Sequence, residues 1–358
     1  MRLSLAAVAV LAVASLAGLG GCSSLGYYWQ SASGHMKMLN AARPVREWIE
    51  DDATPPRLKA RLALAQRIRS YAVSQLHLPD NASYHRYADL HRSAAIWNVV
   101  AAPEFSLTLK TWCFPVTGCV GYHGYFDEAT ARGEAQDLRA QGWEVSVYPV
   151  PAYSTLGWMN WAGGDPLLNT FINYPEGELA RLIFHELAHQ VLYVADDTMF
   201  NESFAVAVER LGGGQWLAGE ASAQARGEYA EFDGRRRQFR ALQLAARERL
   251  KAIYEPPDWT ADRRAQVKRE AMQAFADDYL KLRAGWGGES QRWRGFDYWV
   301  AQANNASFGA QAVYDELVPG FEALFRQSGG DWLRFYDAAR GLAALGKEQR
   351  HKKLKEIM

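Results

Sequence analysis

The chain is predicted to fold as an α+β protein that is mostly α-helical, and three features of its 358 residues predict it. One window, roughly residues 94 to 150, carries short alternating runs rich in β-branched and aromatic residues. Long stretches on either side repeat apolar residues at helical spacing. A composition of 49% hydrophobic and 13% aromatic residues supplies a substantial core and excludes a disordered chain.

In order, Arg57 to Gln75 places Leu58, Leu62, Ala65, Ile68 and Val73 on one helical face, and Leu78-Pro79-Asp80-Asn81 stops it. Ala95 to Ala101 and Leu107 to Cys113 read as strands, with Cys119 to Phe126 pairing back as a hairpin. Asp127 to Gln141 reads as a helix closed by Gly142, and Trp143 to Val150 as a further strand. Residues 175 to 194 form the next expected helix: Pro175 suits its first turn, Glu176 and Glu178 suit the positive end of its dipole, and Leu179, Leu182, Ile183, Leu187, Val191 and Val194 recur at helical spacing. Asp196, Asp197 and Thr198 break the chain with N-cap chemistry, and 199 to 211 reads as a second helix returning on the first. Beyond Leu217 the pattern is almost wholly helical. Arg235 to Tyr254 and Thr260 to Arg283 flank Glu255-Pro256-Pro257-Asp258-Trp259 as a helical hairpin, and 295 to 327 and 331 to 345 supply the last helices. The expected parts are a leader at 1–21, a tether at 22–45, an α+β part at 46–217 and a helical part at 218–358.

The most specific chemistry lies in His185-Glu186-Leu187-Ala188-His189, followed by Asn201-Glu202-Ser203-Phe204-Ala205. Positions i and i+4 of a helix stand about 40° apart and one turn apart along the axis, so His185 and His189 can converge on one ion. Glu186 flanks that face, where its carboxylate can activate a water without displacing an imidazole. Glu202, on the returning helix, is the expected third ligand. Glu209 lies about 10.5 Å further along that helix and cannot share the ion with it. It is a candidate to orient a ligating histidine, or else to pair with a cation of the helix pair. A chance His-Glu-x-x-His is expected on the order of 0.01 times per chain of this length. Two imidazoles and one carboxylate with an open position favour a single Zn²⁺.

The first 22 residues carry targeting information. Arg2, the apolar run to Leu19 and Leu19-Gly20-Gly21-Cys22 have the character of a cleaved secretory signal. The 15 residues from Leu5 to Leu19 fall short of the roughly 20 that a span needs. With Cys22 set aside, Cys113 and Cys119 enclose a short loop. A disulfide, two free thiols and a metal pair are all open; an exported chain favours the disulfide. Zero net charge without a basic stripe makes nucleic acid an unexpected partner.

The zinc motif pair resembles that of the gluzincin metallopeptidases, which implies a zincin-like core with a small β-sheet and a helical C-terminal part. The run 181 to 209, Thr111-Trp112-Cys113-Phe114-Pro115-Val116 and Pro151-Ala152-Tyr153-Ser154-Thr155-Leu156-Gly157-Trp158 resemble, over about residues 25 to 340, a bacterial family of predicted zinc aminopeptidases that are envelope lipoproteins. The resemblance implies His185, His189 and Glu202 as ligands, Glu186 as catalytic base and a peptide as substrate. It also implies lipidation of Cys22, hence membrane attachment, expected at the periplasmic face of the outer membrane. Residues 150 to 158, with Tyr153, Ser154 and Thr155, are expected to form either the edge along which the peptide lies or a loop of purely structural importance. Tyr314 is the first choice as donor to the oxyanion, with Tyr153 and Tyr229 behind it. Whether the enzyme cuts from the amino end or internally is open, and the alternative from another class is a non-catalytic envelope lipoprotein with a structural zinc site.

Overall fold

The computed structural model describes residues 26–114, 118–157, 160–287, 290–313 and 316–358. Cys22 and Tyr314 lie outside the described residues. The architecture is α+β and mostly helical, with three small sheets.

The N-terminal region departs from the expected tether. Residues 26–41 form helix α1, which buries Met38 and Leu39 and leads into β1 (Arg43–Pro44) and α2 (Val45–Glu50). The Gln30 side chain donates to the Gly124 carbonyl and accepts from the Phe126 amide, so this segment is fixed to the sheet region. Its exposed Tyr28, Trp29 and Met36 mask the amphipathic pattern in the sequence.

Helix α3 (Pro56–Ser74) follows, its proline at the first turn where a missing N–H costs nothing. Next come β2 (Arg86–Ala88), β3 (Ile96–Pro103), β4 (Trp112–Phe114), β5 (Gly118–Val120) and β6 (His123–Tyr125). Helix α4 (Glu128–Ala140), capped by Asp127, leads to β7 (Trp143–Val150) and β8 (Leu167–Leu168). The sheets run β1-β2-β8, β6-β3-β7 and β4-β5. The hairpin expected from Cys119 to Phe126 is divided: β5 pairs with β4, whereas β6, after a bend, pairs with β3. Of the strand expected from Leu107 to Cys113 only its end is extended. Cys113 and Cys119 face each other in the β4–β5 register and are joined as a disulfide. Gly118, at φ +72°, lies so close to Asp196 that a Cβ would meet its carboxylate at 2.4 Å, and the Cys119 amide donates to that same carboxylate at 2.6 Å.

The remaining elements are α5 (Glu176–Ala188), α6 (Thr198–Gly219), α7 (Ala223–Tyr254), α8 (Ala261–Ala284), α9 (Arg294–Ala301), α10 (Asn305–Val313), α11 (Val318–Gln327), α12 (Trp332–Ala343) and α13 (Lys347–Glu356). Among the described residues none of the helices is long and apolar enough to cross a membrane. One core joins α3, α5 and α6 to α11 and α12 through Phe184, Phe204, Phe321 and Phe335, so the division expected near residue 217 does not separate two cores. A second core lies between α7, α8 and α9 around Phe239, Phe275 and Trp293, and a third between the β6-β3-β7 sheet and α4.

Candidate metal centre

Helix α5 is shorter than its periodicity suggests. It ends at Ala188, and His189 is its C-cap with helical dihedrals, so the i, i+4 relation of His185 and His189 survives at the very end of the helix. What stops it is a side chain from α6. Asn201 accepts from the Val194 amide at 2.8 Å and donates to the Val194 carbonyl at 2.7 Å, satisfying both backbone groups outside a helix. Asp197 caps α6 through the Phe200 amide and is held from α13 by Arg350 and His351. The turn that returns Glu202 to the histidines is therefore fixed at both ends.

The result is a compact donor set. His185, His189 and Glu202 each offer one ligand atom within 4.8 Å of the others. His185 Nε2 and His189 Nε2 are 3.1 Å apart, and Glu202 Oε2 lies 3.4 Å from the first and 3.7 Å from the second. Bonds of about 2.0–2.1 Å at tetrahedral angles set ligand atoms about 3.3 Å apart, so these three atoms have the dimensions of one face of a zinc tetrahedron. The donor set fits a divalent ion.

Glu209 supports this centre from about two turns further along α6. Its Oε2 accepts from His185 Nδ1 at 3.0 Å, which leaves Nε2 free to face Glu202, and its Oε1 accepts from Arg181. Burial raises the Glu209 carboxyl, but Arg181 and His185 outweigh that and hold it down at about 2. Glu202 is likewise held well below the carboxylate range by the two histidines despite its burial. Glu186 is moved the other way: burial raises it, the histidines lower it, and Glu202 and Glu209 add to the rise. A carboxylate that is not held low keeps the basicity a proton acceptor needs.

The segment expected as the substrate edge is placed differently. Strand β7 stops at Val150 beside Pro151, residues 152–155 are irregular, and Leu156 and Gly157 adopt positive φ. Tyr153 packs inward on His35 and Phe126. Ser154 accepts from the Leu156 amide, and Thr155 donates through both its amide and its hydroxyl to Asp165. The edge strands of this sheet are β6 and β7. Tyr229 lines the cavity on the Arg181 side of His185. Among the described residues the phenols near Glu202 include Tyr122, Tyr148 and Tyr193, each raised by burial and further by that carboxylate, Tyr148 to about 12 despite its hydrogen bond with Asn98. None of the three carries a motif.

Asp165 is a further residue without a sequence signal. It is 1% exposed, and burial, with a contribution from Glu186, pushes its carboxyl up to about 6 despite the bonds from Thr155. Its folded value lies above its unfolded value of 3.8, so its contribution to stability is complete below that value and is lost as pH rises through about 6. An Asp165→Asn variant keeps an acceptor for Thr155 and removes this loss. The wild type is therefore expected to lose roughly 2–3 kcal/mol relative to the variant between pH 4 and pH 8. Melting curves across that range measure it, and parallel profiles would contradict it.

No curated protein and no solved structure matches the chain. A family model described as "Putative aminopeptidase" matches residues 26–354, and the chain belongs to that family.

Proposed function

We propose that the chain is a zinc-dependent peptidase in which His185, His189 and Glu202 hold the ion and Glu186 is the general base. The observation that carries the reading is the three-atom donor face, with Glu186 beside it on α5 lining the same cavity as His185. When bound, the ion supplies Lewis acidity that polarises the scissile carbonyl and acidifies water. Glu186 takes the proton of the attacking water on its carboxylate and passes it to the leaving amine. Glu209 keeps the His185 ring in place through Nδ1. The family description supports action at the amino terminus.

The test is an assay of the chain lacking residues 1–22 against peptides with free and with acetylated amino termini, before and after metal removal and with zinc restored. Hydrolysis is expected only in the metal-loaded protein, and restriction to free amino termini would identify an aminopeptidase. Cleavage of acetylated peptides would make it an endopeptidase, and inertness of the zinc-loaded protein toward both would refute the peptidase reading.

A further inference from the structure

The donor face is built from two helices joined by one short link. His189 caps the end of α5, Asp197 caps the start of α6, and Glu202 lies five residues beyond that cap. Residues 190–196 therefore set where α6 starts, and with it how far Glu202 Oε2 stands from the two imidazoles, 3.4 and 3.7 Å. A ligand set must be held to about 0.5 Å if bonds of about 2.0–2.1 Å are to reach one ion.

Asp196 is the last residue of that link and stands in the left-handed region, at φ +63°. Two distant segments hold it there. From α13, Lys347 Nζ donates to its carbonyl at 2.7 Å. From the β4–β5 hairpin, the Cys119 amide donates to its Oδ1 at 2.6 Å, and Gly118, lacking a Cβ, leaves room for the carboxylate. The chain leaving the hairpin then approaches the donor face. Tyr122, three residues after Cys119, is raised by burial and then by Glu202, whereas Tyr193, within the link, is raised by burial, by Glu202 and by Asp196.

The hairpin owes little rigidity to its own strands. β4 and β5 are three residues each and, among the described residues, form a two-stranded sheet, an arrangement that is marginal in water. The Cys113–Cys119 disulfide joins them at the middle pair of the register. That cross-link restricts the conformations open to the loop and keeps the Cys119 amide directed at Asp196.

We propose that Asp196 is a positioning residue of the metal centre, through which the disulfide-closed hairpin fixes the start of α6 and keeps Glu202 on the ion. This rests on the reading of His185, His189 and Glu202 as ligands.

The test measures zinc affinity of the purified full-length chain by competition with a chelating dye, beside melting of the metal-free protein. Asp196→Gly accepts the positive φ but removes the acceptor, and it is expected to weaken zinc binding about three- to tenfold, the worth of one hydrogen bond. Asp196→Asn keeps an oxygen for the Cys119 amide and tolerates the same φ, so its affinity is expected to stay within about twofold of wild type. Cys113→Ser/Cys119→Ser opens the hairpin without leaving thiolates that could take the ion, and it is expected to match the loss in Asp196→Gly. In a Glu202→Ala background neither change is expected to alter zinc affinity further, because the ligand they position is gone. Zinc binding by the wild type with unchanged affinity in both Asp196→Gly and the cysteine pair would overturn the proposal, even if melting fell. So would an equal loss in the Glu202→Ala background, which marks a general loosening, or an Asp196→Asn variant no better than Asp196→Gly. A wild type that binds no zinc would refute the metal centre itself, and this proposal with it.

Discussion

Replacing Glu186 by glutamine is expected to slow peptide hydrolysis by about 10²–10⁴-fold while the protein still binds one equivalent of metal. The substitution keeps size and shape but leaves an amide that cannot take a proton near neutral pH. Metal retention follows from geometry, because the donor face consists of His185, His189 and Glu202, and Glu186 contributes nothing to it. The pH profile should change as well. In the wild type, activity is expected to rise as Glu186 deprotonates, and its carboxyl is raised because burial and the acidic neighbours outweigh the histidines. The variant is expected to lose that limb. Turnover equal to the wild type with metal in place would exclude Glu186 as the base; loss of the metal itself would show that it acts as a ligand or holds one.

The donor face was legible because its spacing is local. Four residues along a helix place His185 and His189 together whatever surrounds them, and Asp197 announced the start of α6 by its own capping chemistry. Strand β7 was readable to the residue for the same reason, since its signal is the local run of β-branched and aromatic residues in Trp143–Val150. The losses come from contacts between distant segments. The end of α5 depends on Asn201, and α1 is held by Gly124 and Phe126, roughly 94 to 96 positions away along the chain. The motif around Tyr153 and Thr155 was visible, but its purpose depends on Asp165 and on the hydrogen bonds that Ser83 makes with Asp165 and Gln190. A tyrosine near a metal centre has no local signature, which is why Tyr122, Tyr148 and Tyr193 could not be told from core tyrosines.

Arg181→Leu is expected to produce the largest loss of stability of any single change near the centre, about 3–5 kcal/mol. The guanidinium is buried on the cavity wall, and Glu209 depends on it: burial alone would raise that carboxyl, and Arg181 is the largest opposing influence. Glu178 retains Arg236, so most of the cost falls on Glu209. The sign with pH follows from that carboxylate. Its folded value of about 2 lies below the unfolded 4.5, so the stability it contributes is present above 4.5 and is lost as pH falls toward 2. The gap between wild type and variant should therefore be widest near neutral pH and narrow below pH 4. Deprived of its partner, Glu209 also holds His185 less firmly, and metal affinity is expected to fall about 10–100-fold. Denaturant unfolding at pH 7 and pH 3.5, combined with metal titration, separates these effects. A constant gap across pH would mean that Arg181 stabilises by packing alone, and unchanged metal affinity would break the proposed chain from Arg181 through Glu209 to His185.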